Sequence, residues 1–376
     1  MRLIISALTA LCVLSCKTET QPNKPSDPDQ MTGDLTENTL SEKSIPETSG
    51  SKESFDQLEY LIGLKNHVAK RYYPEFAEKQ LFQPIAYYTR KGTYVINPNT
   101  HIRNNFDHSE AASFDGTEVI KLSEKFTDTV NFQFHVSYSD TDTTALYYME
   151  NVLFFQSFEL TQKFIPDIKD LNDWSIMVIH ELFHGYQREI PPFKEYYTNL
   201  EMPGGPDEFL AKYHQEVPWF KKSIYQENEI LKSIWIDGVN PQEGLKVYDS
   251  LKTIRINRIA KEFDVSIREA EDYEILMEGH ARYFESLCKR FLEKYPSDTS
   301  MLNDHNRDYF TDMFKNYEVT QDKGLYDLYN DRYYYQLGYN ITMILEKHLP
   351  EYKKTLYTNH HNFNAYLNIL STKDSE

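Results

Sequence analysis

The stretch Trp174-Ser-Ile-Met-Val-Ile-His-Glu-Leu-Phe-His-Gly-Tyr-Gln187 decides how this chain is read. No helix breaker precedes Gly185. Trp174, Met177, Val178 and Leu182, with the Ile and Phe between them, make the run apolar on most sides, the pattern of a buried helix. His180 and His184 are four apart and so share one face, where both imidazoles can grip a single metal ion. Glu181 follows the first of them and can act as general base on a metal-bound water. Two His and a Glu buried without partners would cost several kcal/mol, a cost that a metal offsets. The competing reading is a core helix whose histidines are satisfied by hydrogen bonds alone.

A catalytic zinc takes a third protein ligand. In metzincins that ligand is a His six residues past the second, a position held here by Ile190. The thermolysin-like pattern needs E-x-x-x-D some two dozen residues on; Glu208 stands at a suitable distance, but Lys212 occupies the place of the acid. Glu278 is the better candidate, in Tyr273-Glu-Ile-Leu-Met-Glu-Gly-His-Ala-Arg-Tyr-Phe-Glu-Ser-Leu287. There Glu274, Glu278, Arg282 and Glu285 form a charged stripe on a helix otherwise carrying Leu276, Met277, Ala281, Phe284 and Leu287. Acids on a well-buried helix need a partner. The alternative for Glu278 is an i,i+4 pair with Arg282 on a solvated face. Gly279 and Ala281 are small enough to let this helix approach the metal helix closely, and His280 points about 200° away from Glu278.

Together, H-E-x-x-H and the later Glu278-Gly-x-Ala-x-x-x-Glu285 resemble the gluzincins, H-E-x-x-H zinc metallopeptidases with a downstream Glu ligand. The resemblance covers two short motifs in the right order. It implies Zn2+ held by His180, His184 and Glu278, with Glu181 as the base and Glu285 orienting a ligand imidazole. Tyr335-Gln-Leu-Gly-Tyr339 resembles the Y-x-x-G-x segment that follows the ligand Glu in some gluzincins. Tyr335 and Tyr339 are therefore candidates for stabilising the oxyanion. His135, His214, His360 and His361 read as surface or loop residues.

The chain's 376 residues carry a formal charge of -18, which argues against nucleic acid as a partner because no excess of cations exists to displace phosphate counterions. Met1-Arg2 and the apolar run Leu3 to Leu14 read as a signal segment, too short to span a membrane. Val13-Leu-Ser-Cys16 resembles the lipobox of bacterial lipoproteins, which implies lipid on Cys16. Lys17 stands where an Asp would favour inner-membrane retention, so the outer membrane is the expected location in the cell envelope. Of three Cys, Cys12 leaves with the signal, Cys16 carries lipid and Cys288 sits at core spacing with Met277, Ala281, Phe284 and Phe291.

Residues 17–54 are rich in Ser, Thr, Pro, Asp, Glu and Gln and read as a flexible tether. The body, 55–376, opens with a helical pattern through Leu58, Leu61, Leu64 and Val68. Strand patterns follow at Pro84–Tyr88, Thr93–Asn97, Thr129–Tyr138 and Leu146–Phe155. Beyond 170 helical spacing dominates, at about 206–215, 219–236, 242–262, 266–293, 331–348 and 351–369. The expected class is α+β: a small, mostly antiparallel sheet in 55–165, then a predominantly helical, zincin-like half in 166–376. The expected function is peptide-bond hydrolysis with a peptide or protein substrate and a lipid-anchored membrane association. The alternative is an inactive zincin-like scaffold serving as a surface binding lipoprotein.

Overall fold

A computed structural model describes residues 55–79, 81–114, 116–123, 134–168, 170–200, 206–294, 314–322 and 332–372. The signal segment, Cys16 and the tether lie outside the described residues.

Six strands form one sheet: β1 Ile85–Thr89, β2 Gly92–Ile96, β3 His108–Phe114, β4 Thr117–Leu122, β5 Phe134–Ser137 and β6 Val152–Gln156, in the order β3-β4-β2-β1-β6-β5. β1 pairs parallel with β6, and every other pairing is antiparallel. The central strands β1, β2 and β6 are buried on both faces. Their alternation sorts the side chains between two cores. Ile85, Tyr87, Tyr94, Ile96, Leu153 and Phe155 face the main core, whereas Ala86, Tyr88, Val95, Val152 and Phe154 meet Ile102 and Leu146 on the other side. Strands β3 and β4 were not anticipated, because β3 is polar and lies at an edge. The signal was present: Asp115-Gly116 is a hairpin dipeptide, and Gly116 has φ 78°.

The helices in chain order are α1 Asp56–Tyr72, α2 Pro74–Glu78, α3 Thr100–Asn105, α4 Phe158–Phe164, α5 Leu171–Glu189 and α6 Pro191–Thr198, followed by α7 Pro206–Glu216, α8 Pro218–Lys232 and α9 Pro241–Phe263, and finally α10 Arg268–Lys294, α11 Tyr334–His348 and α12 Asn364–Thr372. The α+β layout with a helical C-terminal half is as expected. One helix is not: 351–369 breaks into a 3-10 turn at Pro350–Lys354, a π turn at Leu356–His360 and α12, with His361 in the left-handed region at φ 53°.

α5 begins at Asp170, whose side chain accepts a hydrogen bond from the Asp173 amide at 2.8 Å. It runs through Gly185 and stops before Pro191, which opens α6. Trp174, fully buried, donates from Nε1 to the Gln156 carbonyl at 3.1 Å and ties α5 to β6. A Cβ at Gly185 would lie 2.7 Å from Gln83 Oε1, so the glycine makes room for a neighbour instead of ending the helix.

α10 and α11 cross at two glycines. A Cβ on Gly279 would come within 2.2 Å of Gly338 Cα, and one on Gly338 within 2.0 Å of the Ile275 carbonyl. Gly279 thus serves contact with α11, not the close approach to α5 expected of it. The buried acids of α10 are paired: Arg255 bridges Glu227 at 2.6 Å and Glu271 at 2.7 Å, and Lys252 meets Asp272 at 2.5 Å.

Candidate metal centre

The helical repeat of α5 puts His180 and His184 side by side, rings 4.6 Å apart and nearly perpendicular. α10 delivers the third group. Glu278 Oε2 lies 3.0 Å from His180 Nε2 and 3.3 Å from His184 Nε2. One ligand atom from each of His180, His184 and Glu278 falls within 4.8 Å of the others. The solvated Glu278–Arg282 pair is ruled out, since Arg282 turns instead to Glu285 Oε2 at 3.0 Å.

Each imidazole is held from behind. His180 Nδ1 meets Glu285 Oε1 at 2.5 Å. His184 Nδ1 meets Gln187 Oε1 at 2.8 Å, while Gln187 Nε2 donates to the Met277 carbonyl at 3.3 Å and to Tyr357 Oη at 2.8 Å. With its amide nitrogen so engaged, Gln187 must present oxygen to His184, which then carries a proton on Nδ1 and turns Nε2 towards Glu278. Such backing is the usual support of a metal-ligating His.

The polar chain continues inward. Tyr357 accepts from Gln187 and donates to His280 Nδ1, so a neutral His280 carries its proton on Nε2, 2.5 Å from Tyr73 Oη. Burial, with Lys353 nearby, holds the His280 pKa well below the ordinary value, which keeps it neutral. His280 therefore braces the site from α10 without being a ligand.

Charge follows the geometry. Burial opposes protonation of His180, but Glu278 and Glu285 outweigh it and hold its pKa up at about 10. Burial likewise opposes ionisation of Glu278, and His184 and His180 reverse it, leaving the pKa well below the carboxylate range. Glu285 is brought down to about 2 against burial by Arg282 and His180. Glu181 is different: burial raises its pKa despite the two histidines, and its carboxylate takes no hydrogen bond among the described residues. That is the condition of a base free to accept a proton.

Of the two tyrosines, the structure brings Tyr335 to the cluster. Its ring stacks on His180 at 5.9 Å and 21°, and the Arg282 guanidinium lies 5.1 Å from the centroid of the Tyr335 ring. Burial and Glu278 hold its hydroxyl protonated. Tyr339, one turn on, is fully buried against Trp235 and Tyr283 and belongs to the core. His214 is also buried, stacked on Tyr333 at 5.4 Å, and is not the surface residue expected; His135 is half-buried on β5 and stacks on Phe154 of β6. Cys288 is fully buried, as its spacing indicated. Gln187 and the Tyr73–His280–Tyr357 group went unnoticed in the sequence because their partners are brought together by folding alone.

Compared with known proteins, the chain matches no family model, no curated protein and no solved structure.

Proposed function

We propose that this protein is a zinc-dependent peptidase of gluzincin type, held at the cell envelope by lipid on Cys16. One observation carries the reading: two imidazoles from α5 and one carboxylate from α10 converge within 4.8 Å, and Glu181, between the imidazoles on α5, is free to accept a proton. Two His and one Glu are a catalytic-zinc donor set that leaves a position open. Zinc held by His180, His184 and Glu278 would lower the pKa of a bound water to about 7 and polarise the scissile carbonyl.

The chain's own groups do the rest. Glu181 takes a proton from the attacking water as its oxygen bonds to the carbonyl carbon. It then passes that proton to the amine as the C–N bond breaks. Tyr335, stacked on His180 and kept protonated, is placed to donate to the oxyanion. β5, the last strand in the sheet order, offers an edge for extended peptide beside α5.

The test is a peptide-library cleavage assay on the parent and on Glu181→Gln, with metal content measured in both. The expected result is zinc retained in the variant and hydrolysis reduced by orders of magnitude. Full activity in Glu181→Gln contradicts the assignment. Bound zinc with no cleavage of any peptide by the parent favours a binding lipoprotein. The anchor is tested separately: Cys16→Ala should abolish lipid labelling and release the protein from the membrane fraction.

A further inference from the structure

We infer that a second pocket, remote from the metal-ligating cluster, binds a small organic anion whose apolar body is about the size of one aromatic ring. A cavity of about 230 Å³ opens between α1 and α10. His67, Arg71 and Arg290 supply its polar lining, Tyr72 and Phe291 its aromatic walls, and Val68 and Leu287 its apolar floor. Two of these seven groups are arginines and none is acidic, on a chain of formal charge -18. A grouping of like charge so composed calls for a counter-anion.

Both arginines are available for one. Arg71 is exposed, lies over the Tyr72 ring at 5.3 Å and forms no ion pair among the described residues. Arg290 reaches Ser286 Oγ at 3.1 Å and Met343 Sδ at 3.7 Å through one terminal nitrogen, while its Nε is buried with no partner. Each guanidinium carries several N–H donors, and those that line the cavity are matched by an oxyanion acceptor. Guanidinium forks match carboxylate and phosphate in geometry, so either head group fits. The His67 ring packs on Phe291 at 4.6 Å, closing one side with a flat surface.

Size narrows the ligand. The cavity exceeds the roughly 150 Å³ that encloses benzene and falls short of the roughly 300–1,000 Å³ of drug-sized sites. It is also separate from the metal centre. Arg290 follows Glu278 by twelve positions on α10, about 18 Å of helix.

The experiment is titration of the zinc-loaded and zinc-free protein with phenylacetate, phenyl phosphate, inorganic phosphate and neutral phenylacetamide, followed by calorimetry or ligand-observed NMR. Expected is saturable binding of phenylacetate or phenyl phosphate with equal affinity in both metal states, weaker binding of inorganic phosphate and none of phenylacetamide. Which aromatic anion binds tighter identifies the head group as carboxylate or phosphate. Arg71→Gln, on an exposed residue that the fold does not require, should weaken binding at least about tenfold, and Arg290→Gln should do the same. The inference is overturned if neither aromatic anion saturates below about 10 mM. It is equally overturned if phenylacetamide binds as well, if binding needs the metal, or if both arginine variants bind like the parent.

Discussion

Gln187 Oε1 lies 2.8 Å from His184 Nδ1, one helical turn away, and cannot turn over, because Gln187 Nε2 is already engaged by the Met277 carbonyl and Tyr357 Oη. The orientation of the His184 imidazole, a proposed metal ligand, is thus set by a neutral amide and not by a carboxylate. Replacing Gln187 with Leu frees the ring and its tautomer. Zinc affinity should fall about 10–100-fold, with Gln187→Glu restoring most of it, as measured by competition against a chromophoric chelator. Unchanged affinity in Gln187→Leu would remove Gln187 from this role.

Metal binding should release a proton. Without metal, Glu278 and Glu285 hold the His180 pKa at about 10 against burial, so His180 is protonated at neutral pH and must lose that proton to become a ligand. Affinity should therefore rise with pH up to about 10. Calorimetry at pH 7 in buffers of different ionisation enthalpy should find about one proton released per zinc. Heats independent of the buffer would contradict the proton assigned to His180.

The first half of the site was legible because it is local. His180, Glu181 and His184 follow from one helical repeat, and Glu278 and Glu285, seven apart, fall on one face of α10 by the same rule. What holds them was not legible. His280 meets Tyr73, Tyr352 and Tyr357, drawn from segments that no periodicity connects. The same demand explains the broken 351–369 segment, in which Tyr352 and Tyr357 both reach His280 only if the chain departs from a single helix. Gly279 was read for its size, which was right, but a sequence does not say which neighbour a small residue will meet. The neighbour is Gly338.

That crossing predicts a stability effect with a functional echo. In Gly338→Ala the new Cβ would lie 2.0 Å from the Ile275 carbonyl, a backbone atom that cannot swing aside. α11 must shift, at a cost of about 1–3 kcal/mol or more, and Tyr335 moves with it. Thermal unfolding should show the loss of stability. Peptide hydrolysis should fall even at temperatures where the variant remains folded. A variant as stable and as active as the parent would refute so tight a crossing.

Lys65 gives a pH signature independent of the metal. It is fully buried, donates to the Lys79 carbonyl at 2.5 Å, and burial lowers its pKa to about 7. In the unfolded chain it stays protonated to about 10.5. Between these values the unfolded state binds the extra proton, so its contribution to stability rises with pH from 7 to 10.5 and is flat outside that window. Lys65→Met should remove this rise. Compared by denaturant titration across the range, the variant should hold its largest advantage over the parent at or below pH 7 and lose it towards pH 10. A constant difference between the two would show that Lys65 keeps an ordinary pKa.

The most direct measurement is anomalous diffraction at the zinc edge from crystals of the zinc-loaded protein. The account predicts one peak bounded by His180 Nε2, His184 Nε2 and a Glu278 carboxylate oxygen, each at about 2.0–2.2 Å. A peak ligated without Glu278, or no peak between the two imidazoles, would contradict it.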